Sequence, residues 1–365
     1  MSNKEVSKTI EEYSKLLEQE KERHAKTQIK LKMKEHELHE ITTSNSYRLA
    51  KVLAKSKHFA RLMKNHVADL SPDRLRAKVG NKRHVKQAYA STNFTADFAV
   101  NPTSKTAVII HLYYTDLLPY FIKKLENISH INYDLFITVP ETKAGVIKDI
   151  REQLPDARVM MTPNCGRDVL PFVEVMRRIE KMGYVQVLKL HSKKSPHRID
   201  GDVWRDGIVE SLLPKNKEVT NGIIKQLSYK DTAVIGPVGE YVSLLVNFSP
   251  TSHHIKKVTK LVLGIEVTDY VVRSSDEFGF FAGTMFWARV DALSEVINSV
   301  KIDDFEAETG QVDSTFAHGL ERLLSVIPEL EGKNIFEVSP SGVKQINYHT
   351  TNLPKWFDFG LETNL

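Results

Sequence analysis

The chain has 365 residues, 41% of them hydrophobic and 27% charged, and a formal net charge of +5, the profile of an ordinary globular protein of about two domains. No apolar run is long enough to span a bilayer, and Met1-Ser2-Asn3-Lys4-Glu5 leads into a charged segment rather than the apolar core of a signal peptide, so a cytoplasmic protein is expected. A single cysteine, Cys165, excludes an internal disulfide and a cysteine-based zinc site.

Residues 1–45 form the first expected unit. From Lys4 to Ile41 there is no Gly or Pro, and Glu, Lys, Leu and Gln dominate, which is the composition of a long exposed helix. Ile10, Leu17, Leu31 and Leu38 fall on one heptad seam with His24 between them, while Tyr13, Glu20, Thr27, Lys34 and Ile41 make a poor companion seam. The pattern suits a coiled-coil arm for homo-oligomerisation or docking, or a lone helix folded back on the body. Residues 46–100 form a basic amphipathic linker. Lys51, Lys55, Lys57, Arg61, Lys64, Arg74, Arg76, Lys78, Lys82, Arg83 and Lys86 face only Asp69 and Asp73, with Leu49, Val52, Leu53, Phe59, Leu62, Met63, Val67 and Leu70 threaded through at helical spacing. Such a segment either lies on an anionic membrane surface or packs its apolar stripe on the main domain. No aromatic-and-basic nucleic-acid motif accompanies the charge, and no nucleic-acid partner is expected.

From residue 101 to 365 strands and helices alternate. Thr106–Leu112, Tyr133–Val139, Ala157–Met161 and Tyr184–His191 read as strands; Leu117–Ile128, Ala144–Gln153 and Asp168–Met182 read as helices. This order predicts a mostly parallel, Rossmann-like sheet flanked by helices on both faces. In the second half Ala233–Pro237 reads as a short strand and Phe280–Ala288 as a longer one, followed by helices at Asp291–Val300 and Ser314–Val326.

Two polar clusters stand where such a sheet binds ligands, beyond the carboxyl ends of its strands. The first, Asn164-Cys165-Gly166-Arg167-Asp168, opens a helix whose free N–H groups would attract phosphate, with Arg167 adding a fork of donors. Asp168 would repel phosphate, and reads as an N-cap, a partner for Arg167 or a sugar-hydroxyl acceptor. The second follows the fourth strand: His191, Lys193 and Lys194, suited to stabilising a leaving diphosphate. Each cluster also has a plain reading, as a capped turn and a solvated basic loop. At the end of the first strand His111, Tyr113, Tyr114 and Asp116 could hold a nucleotide base, or Thr115 and Asp116 could cap the next helix. Gly283 permits close approach of an acceptor, and Trp287 is a sugar platform or, more economically, core. Ser314, His318 and Arg322 share one helix face, and Asp313 before them is a general base or an N-cap.

The segments His111-Leu112-Tyr113-Tyr114, Asn164 to Phe172 with Gly-Arg-Asp-x-x-Pro-Phe, Leu-Lys-Leu-His-Ser-Lys-Lys-Ser at Leu188–Ser195, Phe281–Arg289 and Ala317–Arg322 resemble the rhamnan synthesis protein F family. The resemblance spans about Ala107 to Leu324 and implies glycosyl transfer, commonly of rhamnose, during surface-polysaccharide assembly at the cytoplasmic face of the cell membrane. It is also similar in segment order to GT-A glycosyltransferases. On that footing the α/β domain is GT-A-like. The donor, such as dTDP-rhamnose, is held by His111, Tyr113, Tyr114, Asn164, Gly166, Arg167, Asp168, His191, Lys193 and Lys194. The acceptor, a lipid-linked glycan, meets Gly283, Trp287, His318 and Arg322, and Asp313 is the catalytic base. The usual Asp-x-Asp motif is absent, His191-Ser192-Lys193 standing in its place, so use of a divalent metal (Mg or Mn) is left open.

Overall fold

A computed structural model of the chain describes residues 84–87, 89, 98, 101–194, 200–263 (backbone only at 245–250), 278–306, 308 and 314–346. The expected N-terminal arm and the basic stretch up to residue 83 lie outside these residues. The described end of the linker joins the body of the domain: Val85, Tyr89 and Phe98 are buried in its core, and Arg178 Nη2 donates to Tyr89 O at 3.2 Å.

Strands β1 (Thr106–His111), β2 (Asp134–Pro140), β3 (Arg158–Thr162) and β4 (Gln186–His191) form the parallel half of an eight-stranded sheet. Helices α1 (Leu118–Leu125), α2 (Ile147–Gln153) and α3 (Val169–Met182) connect them. Every residue of β1, β2 and β4 is buried, which is why these segments read as unbroken apolar runs: a parallel strand is covered on both faces. The two faces separate cleanly in β1, where Ala107 and Ile109 join one core cluster and Val108 and Ile110 the other. Helix α1 contributes Leu118, Phe121 and Leu125 to its side, and α3 ends where Gly183 takes a left-handed φ of 82°.

The second half adds α4 (Gly201–Leu212), α5 (Lys217–Ser228), β5 (Thr232–Pro237), β6 (Tyr241–Ser243), α6 (Leu244–Leu263), β7 (Gly279–Phe281), β8 (Phe286–Arg289), α7 (Val290–Ser299), α8 (Phe316–Leu330), β9 (Asn334–Ser339) and β10 (Gly342–Gln345). The order across the large sheet is β10-β9-β5-β8-β4-β1-β2-β3, with β8 antiparallel to both its neighbours, and β6 and β7 form a separate two-stranded sheet. The sheet is therefore mixed on its far side.

The single strand expected over Phe280–Ala288 is two strands in two sheets. Gly283 (φ 88°) and Thr284 (φ 53°) both take the left-handed region, which no continuous strand tolerates. Helices α4, α5 and α6 and strands β6, β9 and β10 were not anticipated from the sequence. Among the described residues no helix is long and apolar enough to cross a membrane.

Chain order runs outward through β1, β2 and β3, and α3 then returns to place β4 on the other side of β1. Strand order reverses between β1 and β4, and the crevice at their carboxyl ends is the place where an open α/β sheet binds ligands.

Trp287, expected as a platform or core, is fully enclosed, and its indole Nε1 donates to Leu212 O at 2.9 Å. Trp287→Ala should therefore cost about 3–5 kcal/mol in urea unfolding, whereas a loss under about 1 kcal/mol would mean the ring is not core.

Candidate functional site

β1 and β4 pair in register so that His111 stands opposite His191, Ile109 opposite Lys189 and Ala107 opposite Val187. Side chains alternate along a strand, so Lys189 and His191 share the face covered by α3. Lys189 is 1% exposed in the middle of an apolar strand, a position that desolvates an ammonium and demands a partner. Two meet it: the Asp168 carboxylate, which it contacts through Oδ2, and the carbonyl oxygen of Thr284, to which Nζ donates at 2.7 Å.

Asp168 occupies the N-cap position of α3 but makes no capping hydrogen bond. Its carboxylate turns instead to Lys189 and to His191, whose Nδ1 lies 3.2 Å from Oδ2. Burial alone would raise its pKa; the charges of His191 and Lys189 and their hydrogen bonds override that and hold the carboxyl well below the usual range. The expected free N–H groups at this helix start are also committed, since Val169 N and Leu170 N both donate to Gly166 O at 3.0 Å. The start of α3 therefore leaves neither the Val169 nor the Leu170 N–H free for a ligand.

The loop that delivers Asp168 is bent by consecutive left-handed residues, Gly166 (φ 66°) and Arg167 (φ 56°). A Cβ on Gly166 would sit 2.6 Å from Leu170 Cβ and Phe305 Cδ1. Arg167 Nη2 lies 3.6 Å from Glu308 Oε1, and the Cys165 thiol donates to Glu306 O at 3.3 Å. Asn164 is exposed. Arg167, Thr284 and Ser314 (φ 71°) are the described non-glycine residues with left-handed φ, and two of them bracket the Asp168–Lys189 pair.

His111 and His191 are 7% and 8% exposed. Burial pushes the His111 imidazole down to about 3, against the pull of Asp168 and with help from His191 and Lys189, while Nδ1 shares a 2.8 Å hydrogen bond with Thr138 Oγ1. Burial likewise lowers His191, with Asp168 opposing. Beyond β4, Lys193 Nζ stands 4.6 Å from the centroid of the Trp204 ring, and the Trp204 indole donates to Glu240 Oε2 at 2.8 Å. Burial lowers the Lys193 ammonium below its ordinary value; Glu321 and Asp168 oppose this, and Lys189 and Arg167 add to it. Lys194 pairs with Asp116 and lies 5.4 Å from the Tyr114 ring, so Asp116 is an ion-pair partner and not a helix cap. Tyr113 and Tyr114 meet edge to face at 5.1 Å, Tyr113 being 37% exposed, and Ser192 Oγ accepts from Tyr114 N at 2.7 Å.

Lys189, Trp204, Glu240, Thr284 and Glu321 were not among the expected site residues. Thr284 Oγ1 donates to Glu321, and a Cβ on Gly283 would fall 3.2 Å from Ile208 and 3.7 Å from Trp204, so the β7–β8 turn forms one wall of the crevice. Two expected acceptor residues go elsewhere. His318 Nδ1 lies 2.6 Å from Thr315 Oγ1 within the cap of α8, and Arg322 contacts Thr251 of α6 and packs on Phe280. Gly319 between them seats His254 of α6, so that helix face packs on α6. Asp313 lies outside the described residues.

Among the described residues no group of three or more His, Cys, Asp and Glu side chains is arranged to hold a metal ion. At the end of β4 the donor set does not suit a hard dication, because Asp168 is already committed to a buried ammonium. A groove of about 800 Å³ lined by Asp134, Arg151 and Arg158 lies at the opposite, amino-terminal end of β2 and β3. Asp134 is satisfied there by Thr103, Tyr184 and Arg158.

Breaking the Asp168–Lys189 pair by Asp168→Asn should destabilise the fold by about 3–5 kcal/mol, and adding Lys189→Met should recover part of that loss. A single variant as stable as the parent would show that the pair is not what seats Lys189. Acid should also destabilise the protein. Because the folded His111 resists protonation down to about 3, the unfolded chain binds the extra proton first. Its contribution is complete above the ordinary histidine value and declines as pH falls toward 3, by about 1.4 kcal/mol per unit. Below the ordinary carboxylate range the Asp168 contribution is lost as well. Urea midpoints measured down this range should show the His111 slope flattened in His111→Gln.

A family profile described as rhamnan synthesis protein F matches residues 22–332. Two curated proteins of Xanthomonas campestris pv. campestris, both titled "Uncharacterized protein WxcX", are similar to this chain: the strain B100 protein is 32% identical and the strain ATCC 33913 protein 31% identical, each over 254 residues. Those matches cover 66% of this chain and 34% of each relative, so the chain spans about a third of their length. The chain belongs to the rhamnan synthesis protein F family.

Proposed function

We propose that this member of the rhamnan synthesis protein F family is an inverting, GT-A-like glycosyltransferase. It moves a deoxyhexose such as rhamnose from a nucleotide-sugar donor to a lipid-linked or growing surface polysaccharide, and works peripherally at the inner face of the cell membrane. The observation that carries the reading is the gathering of Arg167, Lys193 and Lys194 around the carboxyl ends of β1 and β4, the strand pair at which sheet order reverses. The succession of a parallel nucleotide-binding half, a glycine-bearing turn before β8 and the later helix α8 supports the GT-A-like part.

In this reading Tyr113 or Tyr114 stacks on the base and the three cations hold the diphosphate. Breaking the sugar C1–O bond leaves negative charge on the diphosphate oxygen, and cations already desolvated stabilise it more than solvated ones would. Lys193 is such a cation: its burial makes the ammonium costly to keep charged without a counter-ion. The acceptor enters along the wall made by the Gly283–Thr284 turn. Asp313 is the base that takes the acceptor proton.

Purified protein given nucleoside-diphosphate deoxyhexose, with and without chelator, should release nucleoside diphosphate or transfer sugar. Lys193→Met should weaken nucleoside diphosphate binding about ten- to hundredfold, equivalent to about 1.4–2.8 kcal/mol. Asp313→Asn should lower turnover about a hundredfold or more while donor affinity stays within about threefold. Tight nucleotide binding with no hydrolysis or transfer on any acceptor would point instead to a nucleotide-sugar-binding subunit of an assembly complex.

A further inference from the structure

His191 ends β4 with a titratable ring, and its two ring nitrogens have different surroundings. Nδ1 is enclosed and lies 3.2 Å from the Asp168 carboxylate without the alignment of a hydrogen bond, so the two meet as an ion pair once the ring is charged. No hydrogen bond or ion pair among the described residues engages Nε2, and the side chain keeps about a tenth of its surface accessible, so Nε2 is the nitrogen left for a ligand at the end of the strand. Asp168 itself cannot swing away, because Lys189 grips the same oxygen and is anchored in turn by Thr284 O. A carboxylate this close to Nδ1 favours the charged ring.

We propose that His191 binds the donor diphosphate through Nε2 as an imidazolium braced by Asp168, so that the diphosphate arrives together with one proton taken from solvent. This rests on the diphosphate reading of the crevice given above, and supplies a proton donor where a metal would otherwise neutralise the leaving group. In the transfer step the C1–O bond breaks and its electron pair goes to the diphosphate oxygen. The Nε2 proton passes to that oxygen as the acceptor oxygen bonds to C1 and gives its own proton to the base. The diphosphate leaves with the donated proton and His191 returns to the neutral form.

The charges around His191 explain why the proton comes with the ligand. Lys189 on the same strand, Lys193 just beyond it and the burial of the ring disfavour an imidazolium in the free protein, and Asp168 at the start of α3 opposes them. His111 on β1 pairs opposite it in register. Arg167 of the α3 loop and Glu321 of α8 are among the charges that act on the neighbouring Lys193. A diphosphate within hydrogen-bond reach of Nε2 adds negative charge on the open side. One net negative charge about 4 Å away, at an effective dielectric near 20, raises a pKa by about three units, opposing the burial that holds the ring neutral.

Calorimetric titration of the whole chain with thymidine diphosphate and with inorganic pyrophosphate tests this, run at about pH 7.5 in two buffers of different ionisation enthalpy. Wild type should take up more than about 0.5 proton per diphosphate bound, and its Kd should weaken toward about tenfold per pH unit at higher pH. His191→Gln, checked for an unchanged melting profile, should bind with no uptake, and Lys193→Arg should bind with uptake preserved. Binding by wild type without proton uptake and with a flat Kd from about pH 6 to 9 overturns the proposal and leaves the diphosphate site standing. Uptake retained in His191→Gln, or lost in His111→Gln instead, overturns it as well. No binding of either probe sinks the diphosphate site and this proposal together.

Discussion

A lysine inside a parallel sheet is tolerated only if something equally buried neutralises it, and this molecule is arranged around that requirement. Lys189 is enclosed between β1 and β8, under α3, with its ammonium on Asp168 and 5.4 Å from the centroid of the Phe172 ring. To bring the carboxylate there, the chain entering α3 must turn through two left-handed residues, one of them an arginine. To bring the Thr284 carbonyl there, the segment between β7 and β8 must turn through a left-handed threonine. Backbone strain of this kind costs about 1–3 kcal/mol per residue and persists where surrounding contacts over-determine it. The buried pair supplies that determination, and in doing so it fixes the walls of the crevice as well as its floor.

The two motifs that stand out in the sequence, Asn164–Asp168 and the end of the fourth strand, do converge, and the parallel β1–β4 half is legible because doubly covered strands have an unmistakable apolar signature. Their interaction is less legible. Lys189 sits inside the string Leu-Lys-Leu-His and reads as one polar residue in a strand. Only the register that sets His111 against His191 shows which face it uses, and pairing register is not written in either strand alone. Asp168 therefore looks like a cap or an arginine partner until Lys189 appears beneath it. A lysine flanked by leucines in a strand buried on both faces is the one signal that could have found the pair.

The second half was harder to read for identifiable reasons. Helix α4 carries Gly201 and Gly207 and α5 carries Gly222, which weaken their helical signature, and β9 is only half-buried, so it lacks the unbroken apolar run of β1 and β4. The face expected of Ser314, His318 and Arg322 loses its first member, because Ser314 (φ 71°) precedes the Thr315 cap and lies outside α8, and for His318 and Arg322 helical spacing does not say what lies opposite. Gly319 admits His254, so α6 takes that face for packing, and Glu321 on the flank is the residue near Lys193.

The position of β8 carries a consequence for how the chain is made. This strand is inserted antiparallel between β4 and β5, so Gln186 pairs with Arg289 and the centre of the sheet is filled by a late segment. During synthesis β1 to β4 can assemble as each emerges, but the inner side of β4 stays an open edge until residue 289 has left the ribosome. β5 gains its other neighbour only when β9 follows. An unpaired apolar edge is a template for pairing with the wrong chain, and pairings so distant in sequence form slowly. Crowded expression should therefore favour aggregation through β4 over loss of the finished fold, and the nascent chain is the state in which this protein most needs a chaperone.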